Sequence, residues 1–230
     1  MKPPQTAIRP VSDQLYEVVD LDIEDLSRLR LWIFDLEASG LDTTRERITQ
    51  VAGIPIEGGR ILEDQAFTSY VNPGPDVEIS QEVQDLTGIT PAMLVDAPSL
   101  PKVWQDCVEA SNHSDLWIGQ SVFEFDVPLL ETEFERHRMS LSLPPILDSV
   151  VMATALLGEP ENRWSTSALV QKFEVNTEGL RRHDALDDVK ILARILIPML
   201  KRFKRCREDR LRISPKEPLR VKRHPPIRSV

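Results

Sequence analysis

Cysteine is almost missing: Cys107 and Cys206 are the only two in 230 residues. Two thiols build neither a disulfide framework nor a cysteine-based zinc site. Their scarcity points to a reducing, cytoplasmic compartment. Long apolar runs are missing too. No stretch approaches the roughly 20 residues of a membrane helix, and the opening MKPPQTAIRP lacks the apolar segment of a secretory signal. No membrane role is expected. Glycine is sparse and no repeat recurs along the chain, which excludes collagen-like, solenoid and coiled-coil architectures. What is present, 41% hydrophobic and 28% charged residues, describes a globular domain with room for extensions.

Positive charge is scarce and unevenly spread. The net charge is −9, yet residues 201–230 hold 12 of the 28 Lys and Arg and only 3 of the 37 Asp and Glu. Residues 1–200 carry the other 16 basic and 34 acidic residues, a balance of −18. An acidic body with a basic arm is the expectation, the arm serving as a solubilising end or as a nucleic-acid contact. Three segments follow: an extension over 1–28 with one short helix, a domain over 29–203, and a basic, flexible tail over 204–230.

Within the domain, residues 29–34 (LRLWIF) read as a buried strand ending at Asp35. Residues 48–56 alternate as a second strand, Gly58 and Gly59 supply a hairpin turn, and residues 67–71 form a third strand. Helical spacing then dominates at 80–86, 100–110, 125–139, 149–157 and 165–173, and in a long final helix opened by His183. Short strands interrupt at 115–119 and 146–147. This order predicts an α/β fold, a mixed sheet covered by helices.

Carboxylates gather at the edges of these elements. Asp35 and Glu37 sit two apart at a strand end and so face one side. Asp126 begins the helix behind a short strand, and Asp188 lies five residues after His183. Clustered carboxylates repel one another unless cations join them. Oxygen ligands suit Mg²⁺ or Mn²⁺ rather than zinc. Two such ions can clamp the attacking and leaving oxygens of a phosphoryl displacement, and histidine, whose charge changes near neutral pH, can take the proton of an attacking water. Asp-x-Glu by itself is a weak signal. It occurs at Asp22-Glu24, Asp35-Glu37 and Asp76-Glu78, and only the middle pair follows a buried strand. Phe123 and Phe125 read as core residues first and as base-stacking platforms second.

FDLEASG, FEFDVPLL and HDALDD, in this order, resemble the three motifs of the DEDD exonuclease superfamily in its histidine form. The segment YVNPG…VQDLTGIT is similar to the proofreading epsilon subunits of bacterial DNA polymerase III. The resemblance covers about residues 29–200. It implies a ribonuclease H-like fold, a mixed five-stranded sheet flanked by helices. It implies a two-metal 3′→5′ exonuclease, using Mg²⁺ or Mn²⁺ and releasing nucleoside 5′-monophosphates from single-stranded or frayed DNA 3′ ends. Residue by residue, it makes Asp35 the ligand of both metals, Glu37 and Asp188 the completion of the tighter site, Asp126 the holder of the second metal, and His183 the general base. Ala38, Ser39, Gly40 and Phe125 fall where the terminal nucleotide would lie, and Asp184 and Asp187 are supporting. A proofreading role implies a DNA polymerase subunit in trans. An exoribonuclease, or a nucleic-acid- or polymerase-binding module with little activity, are the alternatives. The chain departs from the family at Ser121-Val122, where His-Asn is usual, and at Ala38-Ser39, where two threonines are common.

Overall fold

The computed structural model describes residues 7–12, 14–140, 142–159 and 163–222. Two strands come first, β1 (Ala7–Ser12) and β2 (Leu15–Ile23), followed by a short 3-10 turn at Leu26–Arg28. Strands β3 (Leu31–Ala38), β4 (Ile48–Glu57), β5 (Arg60–Ile61) and β6 (Phe67–Tyr70) lead to helices α1 (Gln81–Thr87), α2 (Pro91–Leu94) and α3 (Leu100–Ala110). Then β7 (Leu116–Gly119), α4 (Asp126–Arg136), β8 (Ile146–Asp148), α5 (Ser149–Leu157), α6 (Thr166–Lys172) and α7 (Ala185–Cys206) alternate. Strands β9 (Leu211–Ile213) and β10 (Leu219–Lys222) follow.

The larger sheet runs β5-β4-β3-β7-β8, with β6 also pairing β4. Short β5 and β6 share one side of β4, pairing its residues 56–57 and 50–53 respectively. Five strand positions therefore hold six strands. β4 is antiparallel to β3, while β7 and β8 run parallel to it, which makes the sheet mixed. The hairpin falls where Gly58 and Gly59 take φ of 55° and 74°, values that cost L-residues but not glycine.

Strand alternation divides the interior into two cores. Trp32, Phe34, Leu36 and Ala38 of β3 face one core, closed by α3 and α4 through Val103, Trp104, Leu129 and Phe134. Trp104 meets Phe134 edge-on at 5.2 Å between ring centroids. Leu31 and Ile33 face the other core, filled by α5 and α7. The remaining residues of that parity, Asp35 and Glu37, continue the α7-facing row toward the sheet edge. Side chains start the helices: Ser80, Asp148, Ser165 and Asp184 each accept a backbone N–H of the first turn.

Two outer segments correct expectations. Residues 7–23 form strands instead of a loose extension, the short helix expected there being the 3-10 turn at Leu26–Arg28, and residues 204–222 are not a flexible tail. They build a second sheet: β1 and β10 flank β2, and β9 continues beyond β10 along the same side. Tyr16, Val18, Leu21, Leu211, Ile213 and Val221 drop from it into the α7 core. Leu26 and Ser27 are tied to Asp209, the Ser27 Oγ donating to Asp209 Oδ2 at 2.6 Å. Ion pairs join the strands, buried Glu17 with Arg9 and Arg220 and exposed Asp22 with Arg210. The remainder of the expected tail, residues 223–230, lies outside the described residues.

Candidate active site

The sheet edge where β3 ends is open on one side. β7 pairs β3 only as far as Ile33↔Ile118, so the last residues of β3 reach beyond it. Asp126, first residue of α4, fills that gap. It is 5% exposed, and the N–H groups of Leu36 and of Asp126 itself face its carboxylate. On the opposite side of the strand α7 arrives, fixed by Gln50. This buried side chain stands opposite Glu37 in the β3–β4 ladder, accepts the Ala185 N–H at 3.2 Å and donates to Thr68 Oγ1 at 3.3 Å.

Ahead of α7, His183 takes a left-handed φ of 62° and lies before the helix, not in it; Asp184 is the cap. The turn lets the His183 N–H donate to Asp188 Oδ2 at 2.9 Å. A ring nitrogen of His183 and carboxylate oxygens of Glu37 and Asp188 lie within 4.8 Å of one another. Arg182 pairs with Asp188 Oδ1 at 3.2 Å. Asp187 is turned to other work, accepting the Arg181 N–H at 3.0 Å and pairing with Lys190.

Asp35, Glu37, His183 and Asp188 line a cleft of about 790 Å³, together with Ala38, Ser39, Gly40 and Phe125. Asp126 lies just beneath this lining. Phe125 is half-buried and shared between the cleft and the α4 core; Phe123 also packs against that core. Val122 is fully buried in it, so the residue replacing the usual Asn serves packing. Ser39 Oγ donates to Glu46 Oε2 at 2.5 Å and accepts the Arg47 N–H at 3.0 Å. A Cβ on Gly40 would lie 2.7 Å from Glu46 Cδ, so any larger residue here would displace the Glu46 carboxylate that Ser39 holds.

The cluster is electrostatically strained. Burial, then repulsion from Asp126, Glu37 and Asp188, pushes Asp35 well above the usual carboxylate range, and Arg182 opposes the rise. Burial and the neighbouring Asp188, Asp126 and Asp184 push Glu37 up to about 8. Asp126 also rises to about 8, through burial and the nearby Asp148, against its backbone N–H partners. Asp188 rises through burial, against Arg182 and the His183 N–H. Cations are the ordinary remedy for such a group. Asp188 Oδ1 is buried and accepts no hydrogen bond, the Arg182 guanidinium being its one ion-pair partner among the described residues. The donors are carboxylate oxygens with one imidazole at the edge, a set that fits a hard divalent ion.

Sequence reasoning missed Arg182, Gln50, Glu46 and the anchor behind them. Buried Glu133 binds Arg47 and Arg136 at 2.7 Å each, and Arg136 grips the carbonyls of Thr44 and Glu46 at 2.6 and 2.5 Å. The loop that walls the cleft is thereby held from below. Only Arg182, next to His183, had a signal in its neighbourhood.

The profile of the exonuclease family (RNase T type) matches residues 32–196. DNA polymerase III of the PolC type from Bacillus cereus is 26% identical over 174 residues, covering 74% of this chain and 11% of the polymerase. Its Staphylococcus aureus counterpart is 26% identical over 194 residues, covering 82% and 12%. The chain thus spans 11–12% of the length of these curated relatives. Among solved structures, the nuclease domain of 3′hExo, a DEDDh family member bound to rAMP, superposes with a TM-score of 0.67 at 19% identity, over 76% of this chain and 92% of that one. Exonuclease I of E. coli in complex with a dA16 oligonucleotide gives 0.58 at 18% identity, over 77% and 41%. These likenesses are of fold: the mixed sheet flanked by helices is that of ribonuclease H-like exonuclease domains.

Proposed function

The chain belongs to the exonuclease family, and from this premise we propose that it removes nucleotides one at a time from DNA 3′ ends, single-stranded or frayed. The observation that carries the reading is the convergence of Asp35, Glu37, Asp126 and Asp188 with His183 at the open end of β3. Asp35, Glu37, Asp126 and Asp188 would hold two Mg²⁺ or Mn²⁺ ions. Bound there, the ions neutralise the carboxylates and supply the positive charge that stabilises the phosphorane-like transition state. His183 accepts a proton from the attacking water at a ring nitrogen. The water oxygen attacks phosphorus, the bond from phosphorus to the 3′ oxygen of the preceding nucleotide breaks, and that oxygen leaves with a proton from solvent. The product is a nucleoside 5′-monophosphate.

Asp188 has two tasks in this scheme. One oxygen faces the cluster, and the other fixes the strained turn that presents His183. Ala38, Ser39 and Gly40 form the wall against the terminal nucleotide, with Phe125 beside it. The likeness to PolC-type polymerases supports DNA over RNA as substrate, and supports association with a polymerase.

A 5′-labelled single strand incubated with Mg²⁺ or Mn²⁺ should yield a ladder shortening from the 3′ end. EDTA or Asp35→Ala should abolish it, and His183→Ala should slow it by ~10²-fold or more. Near-wild-type cleavage by Asp35→Ala would overturn the assignment. A matched RNA oligomer cut faster than the DNA would transfer the reading to an exoribonuclease.

A further inference from the structure

A substrate strand is a polyanion, yet the cleft that receives it is acidic. Glu46, Glu78 and Glu82 stand on its walls beside Asp35, Glu37 and Asp188, with Arg182 and His183 in opposition. Arg182 is already paired with Asp188. Two bound divalent ions would balance the inner carboxylates and leave the walls negative. Long-range attraction for phosphates must therefore come from another surface.

The described residues offer one at the far end of α7. Lys201, Arg202, Lys204, Arg205 and Arg207 are all exposed, with Glu208 beside them. Lys201, Arg202 and Arg205 occupy the arc opposite buried Leu200 and Phe203, and Lys204 lies at the margin of the buried face. Basic residues on the second sheet are neutralised locally: Arg210 and Arg212 by Asp22, and Arg220 by Glu17. Lys201, Arg202, Lys204 and Arg205 have no ion-pair partner among the described residues. Compensation of the helix dipole accounts for cations within the last turn, where Lys204 and Arg205 lie. Lys201 and Arg202 stand one turn earlier and exceed that need.

We infer that this end of α7 is a second nucleic-acid contact, gripping backbone phosphates of the strand whose 3′ end lies in the cleft. The inference rests on the exonuclease reading. Charge complementarity selects the occupant, and the helix sets the span. Asp188 and Lys204 are sixteen residues apart on one helix, about 24 Å at 1.5 Å per residue. A single strand pulled out fully covers roughly twice the stacked rise of about 3.4 Å per nucleotide, so a substrate of about two nucleotides cannot reach both places.

The test compares oligomers of about two and about 20 nucleotides on the wild type and on the variant carrying Lys201→Gln, Arg202→Gln, Lys204→Gln and Arg205→Gln. Glutamine keeps the helix propensity and removes the charge. For the wild type, KM of the long oligomer should be about tenfold or more below that of the short one. Its logarithm should also rise more steeply with log salt, by about 0.7 for each phosphate held. In the variant the gap should close and the steeper slope should vanish. An equal KM for both lengths in the wild type, or a gap that persists in the variant, would overturn the inference and leave an acidic protein as the occupant to consider. Should the wild type cut neither DNA nor RNA, the exonuclease reading fails instead. Fluorescence anisotropy with the uncut long oligomer then still reads the surface: the variant must bind several-fold more weakly than the wild type.

Discussion

Replacing Asp35 by asparagine separates what the carboxylate cluster costs from what it does. Carboxylates whose pKa is raised on folding favour the protonated form in the native state. Their contribution to stability is present below the unfolded value, near 4, and is lost as pH rises through the folded value. Glu37 and Asp126 are pushed up to about 8, and Asp35 and Asp188 move in the same direction. The metal-free protein should therefore gain thermal stability as pH falls from 8 towards 5. Added Mg²⁺ should raise Tm more at pH 8 than at pH 6. Asp35→Asn should raise the Tm of the metal-free protein at pH 8 by a few degrees, at ~2–4 °C per kcal/mol, while hydrolysis disappears. A lower Tm than wild type in EDTA would refute this account. Glu133 is the opposite case, a buried carboxylate satisfied by two guanidinium groups. Glu133→Ala strands Arg47 and Arg136, and should cost about 3–5 kcal/mol in urea unfolding. The 40–46 wall should loosen with it, raising KM for the oligonucleotide.

Among the elements, β9 and β10 test the new boundary of the domain. Leu211, Ile213 and Val221 are buried against α7 and α5. At about 1.5–3 kcal/mol for each such side chain, a chain ended after Arg207 should lose about 5 kcal/mol or more. It should also expose the apolar face of β2. Equal denaturant midpoints for the truncated and full chains would contradict this. These strands escape a sequence reading for a physical reason. Val19 to Ile23 does alternate, with Leu21 and Ile23 inward and Asp20 and Asp22 outward, but its buried row has meaning only beside Leu211 and Ile213, nearly 200 residues away. The acid-rich outer row then reads as solvated chain, and the basic partners that neutralise it read as a charged tail. The site is more legible. Asp35 and Glu37 announce themselves because the row they extend, Leu31 and Ile33, is apolar and local, and His183 because a cap and a carboxylate follow at fixed offsets. Gln50, Glu46 and Glu133 act through contacts between distant elements, and no local pattern marks them.

At the scale of the whole molecule, the catalytic edge and the second sheet occupy opposite ends of α7. The helix starts on Gln50 beside Glu37 and finishes under the second sheet. In that sheet β1 and β10 lie on either side of β2, with Ala7 opposite Asp20 and Lys222 opposite Leu15. Two strand spacings sideways and five residues lengthwise separate Ala7 from Lys222, about 20 Å in all. A linker of roughly seven residues put in place of residues 1–6 and 223–230, from Lys222 to Ala7, would span it, and the polypeptide becomes topologically a ring. Such a ring can be reopened anywhere the backbone is exposed, and the Gly58–Gly59 hairpin tip is the natural place to cut. A circular permutant beginning at Gly59 should fold with the wild-type circular dichroism spectrum and retain the ladder activity. The order in which the carboxylates are translated would then be Asp126, Asp188, Asp35, Glu37, which makes the catalytic set a property of the closed surface and not of reading direction.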